Sequence, residues 1–318
     1  MNSTGSRGDL ERIDAFFAQI DENGITNREK VQRYQHIIRR VETTAKDRSY
    51  EDSDTVSDGG RFPSGVVTEG GKLIGFGIHI YNEDVYPLKS FEIYFRNCDL
   101  VGALDLSHQQ DLVFIDLYHN RIEAIALEDL PGLRILGVQD NCLQALDPTG
   151  LPACQGIDAG RNRLGSIDVS QNLNLAELYV NDNELRELDL SHNPELKYCY
   201  CHNNQIRELD ALANPQLRHL NASGNPMKRI RCRAPQREEC LPLTLTAGEG
   251  GTVGMQFNPI YNAQWKETGE WQQTYYAYPE EDYRFAGWYE NGVCIFEDAV
   301  LEDEYGASRE LVAKFKRI

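Results

Sequence analysis

The sequence predicts an α/β fold class, organised as a solenoid around one parallel β-sheet. An apolar motif recurs six times, and the asparagine that closes each copy lies 21 residues after the one before it. Alternate apolar residues within the motif form a short strand with one side inward, and such strands bury a continuous core only by stacking on their neighbours. Because this period leaves about a dozen residues for the return path, we expect mostly turns and 3₁₀ segments on the convex side.

Each copy of the motif is a version of L-x-x-L-x-L-x-x-N. The copies begin at Leu112, Leu133, Cys154, Leu175, Leu196 and Leu217. They close on Asn120, Asn141, Asn162, Asn183, Asn204 and Asn225. We interpret these asparagines as a structural ladder, because a side-chain amide can satisfy backbone groups that adjacent turns bury. We therefore expect Asn162→Ala to cost about 1–3 kcal/mol.

This pattern resembles the leucine-rich-repeat family, and the stretches 167–189 and 188–210 resemble its bacterial, internalin-type members. The resemblance extends from Leu88 to Cys232 and implies a leucine-rich-repeat solenoid. The first repeat, around Ile93, is one residue out of phase with the others, as expected of a capping repeat. The motif is specific for the fold and does not specify a ligand.

The segments around the repeat differ in composition. Residues 1–44 carry apolar residues at helical spacing, and Thr26 with Glu29 makes a capping box for a second helix, which predicts an N-terminal helical hairpin. The hairpin would serve as a lid on the solenoid or as a docking element. Residues 45–63 are predicted to be a flexible linker, and residues 64–240 the solenoid with a leading β-hairpin.

Residues 241–318 are rich in aromatic residues and have β character. They resemble the bacterial-repeat domain that follows the solenoid in internalin-like proteins. The matching stretches are Gly250-Gly251-Thr252-Val253, Phe285-x-Gly287-Trp288-Tyr289 and Leu311-x-Ala313-x-Phe315. The resemblance implies a small, β-grasp-like C-terminal domain.

The chain is acidic, with 50 acidic and 32 basic residues and a formal net charge of -18. This charge argues against nucleic acid or an anionic membrane as a partner and favours a protein partner, including a basic one such as a toxin. No apolar stretch is long enough for a membrane span. The N-terminus lacks the apolar region of a secretory signal, so we expect a cytoplasmic protein as written, or a surface or secreted protein if a signal was removed.

The predicted binding residues point outward from the concave side of the repeat strands. They are Phe114, Asp116, Tyr118, His119, Asp158, Glu177, Tyr179, Tyr198, Tyr200, His202 and His219. Grouped tyrosines are typical anchors of protein interfaces, although aromatic residues can also simply shield a sheet or contact flanking domains. Glycines 137, 156 and 160 are predicted to leave a shallow hollow in the middle of the sheet.

The expected size of this face limits how a partner binds. Six strands about 4.8 Å apart give an area of roughly 400 Å². A specific interface needs about 800 Å² on each partner. We therefore expect the partner also to touch loops, the hairpin or the β-rich tail.

The sequence offers no catalytic, metal or cofactor motif. Cys199 and Cys201 occupy inward positions, where small apolar residues suit packing. Cys232 and Cys240 bracket the end of the solenoid, and we expect them to pair in an oxidising compartment or to stay reduced in the cytosol.

These features predict a non-enzymatic protein that recognises a protein partner through the concave face. One interpretation is an intracellular immunity protein that neutralises a toxin, which suits the acidity and the absence of catalytic motifs. The alternative is an internalin-like surface or secreted adhesin, which suits the repeat type and the tail. The sequence predicts no particular oligomeric state.

Overall fold

The computed structural model describes residues 15–30, 66–69, 72–77, 91–95, 97–110, 112–235, 240–261, 267–303 and 309–318. The chain divides into two compact units. The first unit comprises Met1–Leu146 and Gly150–Pro152, and the second comprises Asp147–Thr149 and Ala153–Ile318. The predicted second helix beyond residue 30 and the predicted linker 45–63 lie outside the described residues.

The six motif copies make a β-solenoid of about six turns, consistent with a leucine-rich-repeat fold. The expected α/β class is not supported, because the described residues are helical only at 15–18 and 27–30 and contain no 3₁₀ segment. The physical reason is the short period. After the strand and its bend, a 21-residue turn closes through turns, bends or a second strand, and a full helix does not fit.

The expected N-terminal helical hairpin is likewise not supported by the described residues. The first helical turn ends at residue 18, and the chain then bends around the Asp21 side chain. Asp21 Oδ1 accepts hydrogen bonds from the amides of Asn23 and Ile25, each at 2.9 Å. These bonds favour a loop because they occupy amides that a continuing helix would use.

The capping box predicted within this segment is confirmed. Glu29 Oε2 accepts a hydrogen bond from the Thr26 amide at 2.8 Å, and the Glu29 amide donates to Thr26 Oγ1 at 3.1 Å. The two bonds satisfy backbone donors at the start of the second helical segment, which is described as far as residue 30.

The first unit contains two sheets. Its strands are β1 (Val66–Glu69), β2 (Lys72–Gly77), β3 (Phe91–Tyr94), β4 (Val101–Asp105), β5 (Leu112–Asp116), β6 (Arg121–Ala126) and β7 (Ile135–Gly137). The main sheet has the order β1-β2-β3-β5-β7, with an antiparallel β1–β2 hairpin and parallel neighbours thereafter. Strands β4 and β6 pair in parallel on the return path, so this path is strand where the sequence predicts turns.

The second unit also contains two sheets. Its strands are β8 (Gly156–Asp158), β9 (Glu177–Tyr179), β10 (Tyr198–Tyr200), β11 (Glu208–Ala211), β12 (His219–Asn221), β13 (Arg229–Pro235), β14 (Cys240–Ala247), β15 (Gly251–Tyr261), β16 (Glu267–Pro279), β17 (Tyr283–Glu290), β18 (Val293–Phe296), β19 (Val300–Asp303) and β20 (Arg309–Arg317). The main sheet has the order β8-β9-β10-β12-β15-β16-β19. The other sheet has the order β11-β13-β14-β20-β17-β18.

The strands of the C-terminal tail continue both sheets of the second unit. Strand β15 pairs antiparallel with β12, so that Leu220 lies opposite Phe257. Strand β14 pairs antiparallel with β13, so that Ile230 lies opposite Leu245. All four side chains are buried, and Trp288 of β17 is buried with them in this unit's core. The described tail residues form strands and no helix, and the bacterial-repeat and β-grasp-like resemblances stay predictions.

The six motif asparagines are buried, and four of them make the same set of backbone hydrogen bonds. Asn183 Nδ2 donates to the carbonyl oxygens of Ala159, Val180 and Asn181 at 3.0, 3.2 and 3.2 Å. Its Oδ1 accepts from the Leu164 amide at 2.9 Å. The same four bonds recur at Asn141, Asn204 and Asn225. Each of these four asparagines thus joins its own turn to the preceding one.

Of the two alternatives for Cys232 and Cys240, a disulfide or reduced thiols, the structure has no disulfide at Cys232. Cys232 is a free, buried cysteine whose Sγ lies 3.7 Å from the Met255 sulfur. The register of β13 and β14 places Cys232 opposite Leu243 and Cys240 opposite Pro235. Three ladder positions separate the two cysteines, which is roughly 10 Å and beyond disulfide reach. Cys199 and Cys201 are buried, as expected from their inward positions.

Candidate protein-binding surface

The outward residues of the parallel strands in the second unit form three rows, and we call this surface the open face. Strand register sets the first row as Gly156, Glu177, Tyr198 and His219. The second row is Asp158, Tyr179, Tyr200 and Asn221. The third follows two residues later as Gly160, Asn181, His202 and Ser223. The solenoid thus brings together predicted binding residues that are 21 residues apart in the chain.

Three aromatic side chains cluster in the second and third rows. The ring centroids of Tyr179 and Tyr200 are 5.2 Å apart and the planes meet at 81°, an edge-to-face contact. The ring of His202 lies 6.2 Å from that of Tyr200. All three side chains are half-buried, so they present ring surface to solvent while their contacts hold them in place. Such rigid, partly exposed aromatic groups are suited to anchoring a protein partner.

Acidic side chains surround the hydroxyl of Tyr179. Burial raises the pKa of Tyr179 well above its usual range, and the charges of Glu177 and Asp158 raise it further. The hydroxyl donates a long hydrogen bond to Glu177 Oε2 at 3.4 Å. At neutral pH the tyrosine is therefore a neutral hydrogen-bond donor beside two carboxylates.

His202 is a titratable residue of the open face, and its burial favours the neutral form of the imidazole. Burial lowers the pKa of His202, although the carboxylate of Asp182 opposes this, with Nε2 and Oδ2 4.0 Å apart. Burial acts to raise the pKa of Asp182, but hydrogen bonds from Asn203 and Asn181 outweigh it and hold that pKa below its usual range. At neutral pH the uncharged imidazole of His202 in the third row therefore lies beside the ionised carboxylate of Asp182, which follows Asn181 in the chain.

Three of the predicted binding residues are buried, where the sequence predicts outward, accessible side chains. Phe114 and Asp116 of β5 are 5% and 3% exposed, and His219 of β12 is 7% exposed. His219 is covered because β15 lies beside it, with His219 Nδ1 3.3 Å from Asn258 Oδ1. Its ring also stacks on Tyr198 at 4.3 Å between centroids.

The remaining candidates of the first unit lie just after β5. Tyr118 is half-buried and His119 is exposed, with their ring centroids 5.8 Å apart. His119 Nδ1 contacts Asp140 Oδ2. The Tyr118 amide donates to Asp116 Oδ1 at 3.2 Å, which gives the buried Asp116 a role in shaping this turn.

The shallow hollow predicted at the glycines is partly filled. The Asn181 side chain lies over Gly160, with its Oδ1 2.9 Å from the place a Cβ would occupy. The Asp116 carboxyl carbon lies 3.7 Å from the corresponding point at Gly137. Neighbouring side chains therefore occupy part of the space that Gly137 and Gly160 leave.

The tail adds outward residues to the open face that sequence reasoning missed. Opposite Asn221, β15 presents Gln256, and β16 presents Tyr276 and Tyr278, whose rings lie 6.1 Å apart and nearly parallel. The Tyr278 hydroxyl accepts a long hydrogen bond from the Gly224 amide at 3.4 Å. Strands β15, β16 and β19 widen this unit's face from roughly 14 Å to roughly 29 Å at about 4.8 Å per strand. The alternation of side chains along the tail strands was the signal available in the sequence. It did not indicate that β15 pairs with the solenoid strand β12.

In the part of the chain that the structure describes, no helix has the length and hydrophobicity of a membrane span. No group of three His, Cys, Asp or Glu side chains in the same residues could hold a metal ion.

The fold and this surface define the class of protein. It is a β-solenoid, consistent with a leucine-rich-repeat fold, and one face of its sheet carries aromatic and acidic side chains. No family model and no curated protein matches the chain. Among solved structures it is similar to the internalin InlF of Listeria monocytogenes, with 17% identity, 36% of this chain and 41% of that chain covered, and a TM-score of 0.27.

Two further solved structures are similar to the chain. A leucine-rich-repeat protein of Leptospira interrogans has 14% identity, covers 44% of this chain and 54% of its own, and gives a TM-score of 0.30. The functional domain of InlJ from Listeria monocytogenes has 15% identity, covers 71% of each chain and gives a TM-score of 0.27. The chain therefore spans less than two thirds of the Leptospira protein and of InlF.

Proposed function

We propose that this protein is a non-enzymatic recognition module that binds a protein partner through the open face. The observation that supports this most directly is the group of half-buried tyrosines on adjacent parallel strands, Tyr179, Tyr198 and Tyr200. Tyrosine offers a large contact area at a low entropic cost and is enriched at interface centres. The proposed contact set also includes Asp158, Glu177 and His202 of the same face. In the first unit, Tyr118 and His119 are proposed as contacts by themselves.

The charge of the chain favours a basic partner. A formal net charge of -18 attracts a positively charged protein and speeds their encounter. An intracellular immunity protein that neutralises a basic toxin is the form of this function that best suits the charge. The alternative is an adhesin at the cell surface, which rests on the resemblance of the repeats to internalins and on the β-rich tail.

The test is to remove the aromatic cluster without disturbing the solenoid. The variant Tyr179→Ala, Tyr200→Ala, His202→Ala is compared with the wild type in quantitative affinity capture from a lysate and a culture supernatant of the source organism. The matched control is Arg163→Ala, Glu184→Ala, Arg186→Ala, which changes three exposed residues of the same unit. We expect a specific partner to be retained by the wild type and the control and lost by the aromatic variant, at similar thermal melting temperatures.

The outcomes separate the proposals. A partner that the aromatic variant still binds would place the binding surface elsewhere. A basic protein captured from the cytosolic lysate supports the immunity form. A partner captured from the culture supernatant, with none from the cytosolic lysate, supports the adhesin form.

A further inference from the structure

We infer that the open face receives an arginine side chain of its protein partner, packed against the exposed parts of the Tyr179 and Tyr200 rings with Asp158 and Glu177 as counter-ions. This inference rests on the proposed function and adds the chemistry of the anchor. It is argued from the ring geometry, the placement of the carboxylates and the charges already present on the face.

The ring geometry suits a cation. Tyr179 and Tyr200 lie directly opposite each other on β9 and β10, and their rings are in edge-to-face contact. The face of an aromatic ring is its negative pole and attracts a cation within about 6 Å of the centroid. Both rings are half-buried, so a group that lies on them is partly removed from water, which strengthens the attraction.

Two carboxylates lie on the same side as these rings. Asp158 is the direct neighbour of Tyr179 on β8, and Glu177 precedes it by two positions on β9 and therefore points to the same side. Gly156 lies directly opposite Glu177 and two positions before Asp158, so no side chain projects from that point of the sheet. A long cationic side chain that lies along this side of β8 and β9 meets both carboxylates and the rings.

The charges of this part of the face complement a positive group of the partner. The charges of Glu177 and Asp158 act on the Tyr179 hydroxyl, so both carboxylates lie close to the rings. The neighbouring His202 adds no positive charge at neutral pH, because burial lowers its pKa. Together with the net charge of -18, this arrangement favours a cationic group of the partner.

Arginine fits this arrangement better than lysine. A guanidinium is planar, stacks on aromatic faces and donates two parallel hydrogen bonds to a carboxylate, whereas an ammonium is a strongly hydrated point charge. A site that combines two rings with two carboxylates uses the stacking and the forked donors together. We therefore assign the anchor to arginine and treat lysine as the competing outcome.

The test uses defined peptides with the full chain. Binding of tetra-arginine, tetra-lysine and tetra-citrulline peptides is measured by NMR of isotope-labelled tyrosine rings, at about 0.15 M salt to screen long-range attraction. We expect tetra-arginine to shift the Tyr179 and Tyr200 ring signals and to bind about fivefold more tightly than tetra-lysine. The uncharged tetra-citrulline is expected to cause no shift.

Matched variants separate the proposed anchor from general acidity. Asp158→Asn with Glu177→Gln removes two charges from the site and is expected to weaken tetra-arginine binding about tenfold. The control, Glu184→Gln with Glu187→Gln, removes two charges from exposed positions of the same unit and is expected to change binding less than about threefold. Equal losses in the two variants, or equal affinity for arginine and lysine peptides, would overturn the inference.

The result also separates this inference from the proposed function. If the captured protein partner is lost with the aromatic triple variant but kept by Asp158→Asn with Glu177→Gln, the open face binds a protein and the arginine anchor is wrong. If both variants lose the partner and the peptide preference holds, both proposals stand. If the partner binds all variants equally, the proposed function fails whatever the peptides show.

Discussion

A second ladder of asparagines stabilises the solenoid in the second unit, outside the repeating motif. Asn172, Asn193 and Asn214 are completely buried and again 21 residues apart. Asn193 Nδ2 donates to the carbonyl oxygens of Val169 and Asn172, each at 3.0 Å. The next member, Asn214, does the same one turn later, with distances of 2.9 and 2.8 Å. These side chains satisfy carbonyls on the return path, which is where the sequence predicts only turns.

The second ladder should matter for stability as much as the first. We expect Asn193→Ala to lower the free energy of unfolding by about 1–3 kcal/mol, because two buried carbonyl oxygens lose their donor. Urea denaturation followed by circular dichroism measures the change. The control is Gln205→Ala, an exposed amide next to the motif asparagine Asn204, with an expected effect within about 0.5 kcal/mol. A loss at Asn193 no larger than at Gln205 would show that the ladder contributes nothing.

At the scale of elements, the N-terminal segment completes an edge of the return-path sheet in the first unit. Asn27 is fully buried, and its Oδ1 and Nδ2 bond to the amide and carbonyl of Val101, each at 2.9 Å. Gln19 makes the same pair of bonds to Ala103, at 2.8 and 2.6 Å. Two side-chain amides thus make the backbone hydrogen bonds to β4 that a neighbouring strand would otherwise make. These contacts favour the lid interpretation of this segment, since an uncovered strand edge is open to aggregation.

A cluster of ion pairs between side chains stabilises the position of this segment. Lys30 Nζ lies 3.1 Å from Asp21 Oδ2 and 3.2 Å from Asp99 Oδ2, and the Lys30 and Asp21 side chains are 6% and 2% exposed. Arg121 adds a contact to Glu22 at 2.9 Å. The hydrogen bond from the Ile25 amide, aided by Lys30 and opposed by burial, lowers the pKa of Asp21 from 3.8 to about 2.

This shift predicts that docking of the segment depends on pH. Because the folded-state pKa of Asp21 lies below its ordinary value, its stabilising effect is complete above about pH 4 and is lost as the pH falls towards 2. We expect the side-chain amide NMR signals of Gln19 and Asn27 to change between these values. Asp21→Asn should abolish this titration and loosen docking at neutral pH, whereas Asp282→Asn, in the second unit, should leave it intact. A titration that persists in Asp21→Asn would assign it to another group.

At the scale of the whole molecule, the tail is part of the fold of the second unit. The solenoid strands β12 and β13 each have a tail strand as their next neighbour, β15 and β14, and the buried Phe257, Tyr275 and Trp288 come from the tail. The sequence predicts that residues 241–318 form a separate domain after the repeats. The pairing indicates that it also closes the open end of the solenoid, which a repeat array requires for solubility.

Deletion of residues 241–318 should therefore damage the repeats. We expect the shortened chain to aggregate or to melt at a markedly lower temperature, because two strand edges and the apolar surface of Leu220 and Ile230 become exposed. Size-exclusion chromatography and calorimetry measure this. The opposite deletion, of residues 1–14, which lie outside the described contacts, serves as the control. A shortened chain that stays monomeric and melts unchanged would show that the tail folds independently.

Sequence alone determined the solenoid, because a strict 21-residue period with inward leucines allows only stacked turns, and the regular phase places each motif asparagine in line with the next. It also determined which side of each strand points outward, since side chains alternate along a strand. Only the tertiary structure decided how much of that side is accessible. Neighbouring strands cover His219, Asn181 lies over Gly160, and the tail extends the face with Tyr276 and Tyr278. Accessibility and strand pairing across long sequence distances depend on what packs beside a residue, and a local pattern does not carry that information.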